Sequence, residues 1–314
     1  MIRQAFVLGA GLGLRLRPMT EHMPKPLVPI FNKRLITFSL DHLRSIGVES
    51  FVINTHRLPE QFETVFDSGE YDGASVKLAH EPDLLETGGG IKNAAPLLRR
   101  EEPFITYSGD ILTDIELQPL VDEHFAKGND VTLGLREDGL STDIALRDGR
   151  VTDIAGKFGT QGTCDFAGIA VWNPSIFERI PAKKKTSFIP IVVNWIKEGG
   201  KIGGVALNHG KWFNIGSRDG YLEAHRTIAE EPWKPRYVTD GAWPLRVAPD
   251  AEVDPTAQLS GVCSVGAGSR IGAGAILENT IVWPGAQIAS RSELRNCIVR
   301  SHQTAEGILS DVDI

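Results

Sequence analysis

The chain has little from which to build a disulfide framework, a zinc site, a membrane span or a nucleic-acid surface. Only three cysteines occur in 314 residues, Cys164, Cys263 and Cys297. They are too few and too scattered for a stapled secreted fold or a metal knuckle. No apolar run is long enough to cross a bilayer. Acidic residues outnumber basic ones, 40 to 33, for a formal net charge of −7, whereas nucleic-acid binding calls for a basic surface. The run Lys183-Lys184-Lys185 reads as a solvated loop. The opening residues give a strand and a glycine loop in place of a signal peptide's apolar stretch. The expectation is a cytoplasmic protein that engages neither membrane nor nucleic acid.

A clear Ser-His-Asp or Cys-His grouping is also lacking. What is present is an average globular composition, 41% hydrophobic and 23% charged, in a chain long enough for two domains. The most informative stretch is Gly9-Ala10-Gly11-Leu12-Gly13-Leu14-Arg15-Leu16-Arg17-Pro18, followed by Pro24-Lys25-Pro26-Leu27. It starts directly after the apolar run Ala5-Phe6-Val7-Leu8, a first strand. Gly9, Gly11 and Gly13 let the backbone approach a bulky group and turn amides toward it, an arrangement suited to phosphates. Two cations at set distances, Arg15 and Lys25, suit a nucleoside triphosphate, whose tail needs several donors at once. A dinucleotide fingerprint fails, because its third glycine falls on Leu14 and the next strand ends in Asn54. A P-loop fails for want of Gly-Lys-Ser/Thr.

Strand and helix patterns alternate up to about Ala229. Helices are expected over 35–46, 59–66 and 90–98, and strands over 51–53, 76–80 and 103–107, with the block Glu86–Asn93 opening a helix. Such alternation predicts a mostly parallel, Rossmann-like α/β sheet flanked by helices, with ligands beyond the C-terminal strand ends. The glycine loop and Asp110 both fall at that edge.

These residues resemble the sugar-1-phosphate nucleotidylyltransferases, also called nucleotide-sugar pyrophosphorylases. The resemblance runs through Gly9–Pro29, Leu85–Gly90, Ser108-Gly109-Asp110, Phe166-Ala167-Gly168-Ile169 and Trp212-Phe213-Asn214-Ile215-Gly216. It implies that a nucleoside monophosphate passes from GTP or UTP to a sugar 1-phosphate with loss of pyrophosphate, assisted by Mg²⁺. It implies further that Arg15, Lys25 and Asp110 are catalytic and that Asp110 binds the metal. Gly9, Ala10, Gly11, Gly13, Glu86, Thr87, Gly88 and Gly89 would receive the nucleotide, and Lys157 and Gly168 the sugar phosphate. Two departures stand out. The family's second metal ligand, an Asp, falls on Asn214, and the Glu of its Glu-Lys-Pro motif is missing before Lys157. The Glu86–Ile91 block and Phe166 resemble N-acetylmuramic acid α-1-phosphate uridylyltransferases, while overall length and tail resemble mannose-1-phosphate guanylyltransferases.

From Val247 onward aliphatic residues return every six positions, at Val253, Leu259, Val265, Ile271 and Leu277. After a slip near Trp283-Pro284-Gly285 they resume at Ile288 and Leu294. This period predicts a short left-handed parallel β-helix. The expected organisation is a catalytic domain over 1–231, a linker over 232–245 and a β-helix over 246–314 that could support a homo-oligomer. Hexapeptide acyltransferases share such a repeat, but His302 is its only nearby histidine and lies past the last clear rung. A non-catalytic regulatory subunit is the remaining alternative, raised by Asn214.

Overall fold

The computed structural model describes residues 1–138, 141–231 and 233–314. Pro232, where the expected linker opens, lies outside the described residues. Packing divides the chain into two compact units: Met1–Leu12 with Phe38–Trp212, and Gly13–Thr37 with Phe213–Ile314.

The first unit is a ten-stranded sheet. Its strands lie in the order Ile144–Arg147, Arg150–Ile154, Ile202–Ala206, Val131–Arg136, Asp165–Trp172, Phe104–Ser108, Gln4–Leu8, Ser50–Thr55, Ala74–His80 and Glu70–Tyr71. The four strands from Phe104–Ser108 to Ala74–His80 run parallel, as the alternating pattern requires. Asp165–Trp172 runs antiparallel to both neighbours, pairing Ile169 with Tyr107. Its first residues, and not its last, therefore reach the C-terminal edge of the parallel strands. The apolar strand residues and the helices over them make one core, in which Phe6, Phe104, Leu133 and Trp172 are sealed from solvent.

The helices are α1 (Leu35–Ser45), α2 (Pro59–Val65), α3 (Glu86–Ala94), α4 (Gln118–Lys127), α5 (Ile176–Arg179), α6 (Phe188–Lys197) and α7 (Arg218–Glu230). The first two fall within a residue of their expected spans. Helix α3 starts four residues earlier than the 90–98 pattern suggests and takes in Gly88, Gly89 and Gly90. Propensity disfavours three glycines inside a helix; here close packing of neighbouring chain overrides it.

In the second unit the residues from Glu252 onward form the predicted parallel β-helix, three short parallel sheets around an apolar core of Val265, Ile271, Leu277, Val282, Ile288, Leu294 and Val299. Coil pairing matches Leu259 with Leu277 but Leu277 with Leu294, so the spacing drops from 18 residues to 17. The slip is therefore not at Trp283. It lies between Leu277 and Val282, and recurs between Leu294 and Val299, where one side of the triangle loses a residue. Asn279 and Asn296 turn those corners with φ of 49° and 51°, a left-handed conformation that Asn tolerates better than most residues.

Candidate active site

In the first unit, the glycine loop leaves the central strand Gln4–Leu8 next to the strand that ends at Asp110. Gly109 N donates to Leu8 O at 3.0 Å, and a Cβ on Gly109 would sit 2.6 Å from that same oxygen. The two motifs that sequence places at one edge are thus joined there by the backbone. Gly9 N donates to Asn54 Oδ1 at 2.7 Å, and a Cβ on Gly9 would lie 2.6 Å from Asn54 O. Gly11 differs, with nothing within 4 Å of a Cβ position and an exposed backbone. Gly9 and Gly109 are glycines for chain packing; Gly11 faces open space.

Asn54 continues into a buried bridge. Its Nδ2 donates to Glu81 Oε1 at 2.7 Å, and Leu85 N donates to Glu81 Oε2 at 2.9 Å. Glu81 is 0% exposed. Burial pushes its carboxyl above the usual range, while the donors from Asn54 and Leu85 pull the other way. Neither residue's role is visible in the sequence. The polar end of an otherwise apolar strand, and a lone Glu just after the next strand, were the only signals available.

The bridge ends where α3 begins. Glu86 opens that helix with φ of 60°, an uncommon conformation for a side-chain-bearing residue. A Cβ on Gly88 would lie 2.8 Å from Thr186 O, one on Gly89 2.7 Å from Lys184 O, and one on Gly90 2.8 Å from Glu81 Oε1. The absent side chains at Gly88 and Gly89 thus make room for protein backbone. The lysine loop is not simply solvated: Gly89 N donates to Thr186 O, Thr186 N to Leu85 O, and Lys185 Nζ lies 3.5 Å from Glu86 Oε1. Thr87 lies within the first turn and is partly exposed.

Gly168 sits near the start of the reversed strand, at φ 82°, with its missing Cβ 3.1 Å from Ser108 Oγ. Lys157 is exposed on the loop after Arg150–Ile154. Asp153 organises that loop: its buried Oδ2 accepts from Phe158 N at 2.8 Å and Thr160 N at 2.9 Å.

The second unit carries the cations. Gly13 has φ 64°, and its O accepts Thr20 Oγ1 at 2.8 Å and Leu16 N at 3.0 Å. This closes a short turn over Leu14–Leu16 in which Leu16 is buried and Arg15 exposed. Lys25 opens a second turn, Lys25–Leu27, between Pro24 and Pro26, and is 8% exposed, unusual for a lysine. Asn214 Oδ1 is buried without a hydrogen-bond partner. A Cβ on Gly216 would fall 2.7 Å from that oxygen and 3.1 Å from Arg15 Nη2. The glycine keeps open a small cradle where an orphaned amide oxygen and a guanidinium meet. Arg17, adjacent to this turn, is exposed.

Among the described residues no three His, Cys, Asp or Glu side chains gather as a metal cluster. Each unit offers an oxygen of the kind a hard cation takes alongside phosphate and water: the Asp110 carboxylate in the first and the orphaned Asn214 Oδ1 in the second. His42 and His225 are buried and held neutral, their pKa pushed down by burial to about 3 and about 4. Neither serves as an acid–base group at neutral pH.

Comparison with known proteins agrees with this chemistry. A family model described as nucleotidyl transferase matches residues 4–231. A mannose-1-phosphate guanylyltransferase of Mycobacterium tuberculosis is 30% identical, aligned over 90% of this chain and 80% of its own length. An N-acetylmuramate alpha-1-phosphate uridylyltransferase of Neisseria meningitidis is 29% identical, over 68% of this chain and 93% of its own. The crystal structure of a UDP-glucose pyrophosphorylase with UDP-glucose superposes with a TM-score of 0.62 at 20% identity, covering 74% of this chain and 100% of that one, a likeness of fold. With the family model spanning most of its length and these motifs in place, the chain belongs to the nucleotidyl transferase family.

Proposed function

We propose that the protein transfers a nucleoside monophosphate from GTP to mannose 1-phosphate, releasing pyrophosphate. The observation that carries the reaction type is the cradle in which the Arg15 guanidinium meets the orphaned Asn214 oxygen. Guanylyl transfer is favoured because the mycobacterial guanylyltransferase aligns over 90% of the chain, β-helix included. A second reading, uridylyl transfer to N-acetylmuramic acid 1-phosphate, is favoured by the Glu86–Ile91 block. Its relative aligns over only 68% of the chain, which places it second.

The reaction joins two polyanions and leaves charge on pyrophosphate, so positioning and cationic stabilisation are the work required. Arg15 presents a planar fork to the β- and γ-phosphates and stabilises the leaving group. Lys25 neutralises the α-phosphate and the incoming sugar phosphate. Ala10, Gly11 and Gly13 turn amides to the triphosphate, while Gly9, its own amide held by Asn54, sets where the loop begins. Glu86 and Thr87 receive base and ribose, with Gly88 and Gly89 shaping that surface by admitting the backbone of Lys184–Thr186, and Lys157 and Gly168 receive the sugar phosphate. Asp110 and Asn214 would hold Mg²⁺, which when bound supplies charge neutralisation to the phosphates. The catalytic domain is 1–231, joined by 232–245 to the β-helix of 246–314, whose outer face would carry any homo-oligomer. Nucleoside triphosphate as substrate implies a cytoplasmic setting. The described residues contain no helix long and apolar enough to cross a membrane.

Pyrophosphate release is the test, measured across nucleoside triphosphates and sugar 1-phosphates with Mg²⁺ and with EDTA. Metal-dependent release from GTP with mannose 1-phosphate supports the proposal. Release from UTP with N-acetylmuramic acid 1-phosphate moves the assignment to the second reading. Silence across the grid from folded protein overturns both in favour of a regulatory subunit.

A further inference from the structure

The segment Gly13–Thr37, which carries Arg15 and Lys25, packs in one unit with the β-helix, and the contacts are specific. Arg300, on the β-helix, donates through Nη1 to Pro18 O at 3.1 Å and to Glu21 Oε2 at 3.3 Å. Its Nε donates to Ile314 O at 2.9 Å, which fixes the guanidinium from behind. Pro18 O also accepts Glu21 N at 3.0 Å. One arginine thus holds the far side of the turn whose near side, Gly13–Leu16, presents Arg15.

The other half of the cradle is held from the same coils. Arg218, four residues after Asn214, donates through Nε to Asp313 Oδ1 at 2.7 Å and through Nη2 to Asn296 O. Further along the segment, Tyr221 OH donates to Pro29 O at 2.6 Å and accepts Trp283 Nε1 at 2.9 Å. Trp243 Nε1 donates to Ile30 O at 3.0 Å. Trp283 belongs to the Trp-Pro-Gly stretch just after the register change. In the fold this side chain fastens α7 through Tyr221, whose hydroxyl in turn holds Pro29.

We propose that the β-helix is a positioning template for the phosphate-binding segment, with Arg300 as the positioning residue that holds the Arg15 turn in register with Asn214. This rests on the reading of Arg15 as a triphosphate ligand. Arg300 itself touches no reacting atom. Its effect passes through the Pro18 carbonyl and the Glu21 carboxylate, so its loss should be felt at the triphosphate and not at the sugar. Charge-assisted bonds of this kind are the strong class, and a lost one corresponds to about a tenfold change in an equilibrium constant.

The test uses the full chain as wild type, Arg300→Ala, Arg300→Lys and Glu21→Gln. Titration calorimetry with GTP and with UTP reads nucleotide affinity directly, and pyrophosphate-release kinetics read KM for each substrate. Arg300→Ala should weaken nucleotide binding, or raise its KM, about tenfold, with KM for the sugar 1-phosphate within twofold. Arg300→Lys should recover part of the loss, and Glu21→Gln should give a smaller change in the same direction. Hydrogen exchange of the amides of Leu16, Arg17 and Glu21 should speed up in Arg300→Ala while the β-helix core stays protected. Nucleotide binding unchanged in a folded Arg300→Ala overturns the template. So does a uniform fall in kcat, with both KM values unmoved, that tracks the folded fraction. If Arg300→Ala does not fold, Glu21→Gln and Arg300→Lys decide by the same readouts. A wild type that binds neither nucleotide overturns the phosphate reading itself, an outcome separable from tight wild-type binding that Arg300→Ala leaves intact.

Discussion

Gly216→Ala isolates the cradle from the rest of the protein. Gly216 has no positive φ to forbid a side chain, so the added methyl group meets only its neighbours. It would arrive 2.7 Å from Asn214 Oδ1 and 3.1 Å from Arg15 Nη2. Ordinary van der Waals contact begins at 3.4 Å, so the amide must retreat by about 0.7 Å and the guanidinium by about 0.3 Å. Both atoms end side chains, and Arg15 is exposed, so the fold can absorb the shift for about 1 kcal/mol or less. Catalysis cannot absorb it as easily. Misplacing a positioning group by about 1 Å costs on the order of a hundredfold in rate, or about 2.7 kcal/mol of barrier. We expect kcat/KM for pyrophosphate release to fall about 30- to 100-fold while the melting temperature moves by no more than about 3 °C. A rate within twofold of wild type in well-folded Gly216→Ala would refute the cradle. A collapse of the melting temperature would show that the glycine is needed for folding instead.

Asp110→Asn should remove most activity with little change in thermal melting, and Asn214→Asp should lower the Mg²⁺ concentration for half-maximal rate; a near-native Asp110→Asn rate would remove Asp110 from metal binding. The loop glycines should separate: Gly9→Ala forces a methyl group onto the Asn54 carbonyl and should cost about 1–3 kcal/mol in denaturant unfolding. Gly11→Ala has open space and should fold normally but bind triphosphate more weakly, and equal behaviour of the two would contradict this division. Buried His42 and His225 stay neutral in the fold but protonate in the unfolded chain near the ordinary histidine value of 6.5. Below that value the unfolded state binds more protons, so stability should fall as pH drops, by about 1.4 kcal/mol per unit for each histidine. The fall should continue to about pH 4 for His225 and about pH 3 for His42, and an urea midpoint flat between pH 6.5 and 4.5 would refute the assignment.

The elements legible in sequence are those whose signal is local. The 3.6-residue spacing of Ile36, Leu40 and Leu43 marks α1 to within a residue, and the six-residue repeat announces the β-helix. Arg15 and Lys25 stand out because an aliphatic run, glycines, prolines and two cations follow one another along the chain. Residues that matter through long-range pairing were not visible. Asn54 and Glu81 each look like an ordinary polar residue at a strand end, and only the fold brings them to Gly9 and Leu85. For α3 the apolar spacing suggests a start at Gly90 and the Glu86–Asn93 block a start at Glu86; the structure takes the second, with the backbone of Lys184–Thr186 filling the space beside Gly88 and Gly89. In sequence the slip in the repeat falls near the conspicuous Trp283-Pro284-Gly285. The register changes instead at Asn279, where a left-handed corner needs no conspicuous residue.

The Asn54–Glu81 bridge has a consequence for the entropy of turnover. It ties the first amide of the glycine loop to the first turn of α3 through groups that solvent cannot reach. Holding a loop residue in one backbone conformation costs about 1–2 kcal/mol, a cost that a floppy loop would meet afresh with every substrate molecule. Here that ordering is met once, as the chain folds. If the proposed site is the right one, an arriving nucleotide would meet a surface already stiff, and its contact energy would go into discrimination and orientation, not into taming the protein.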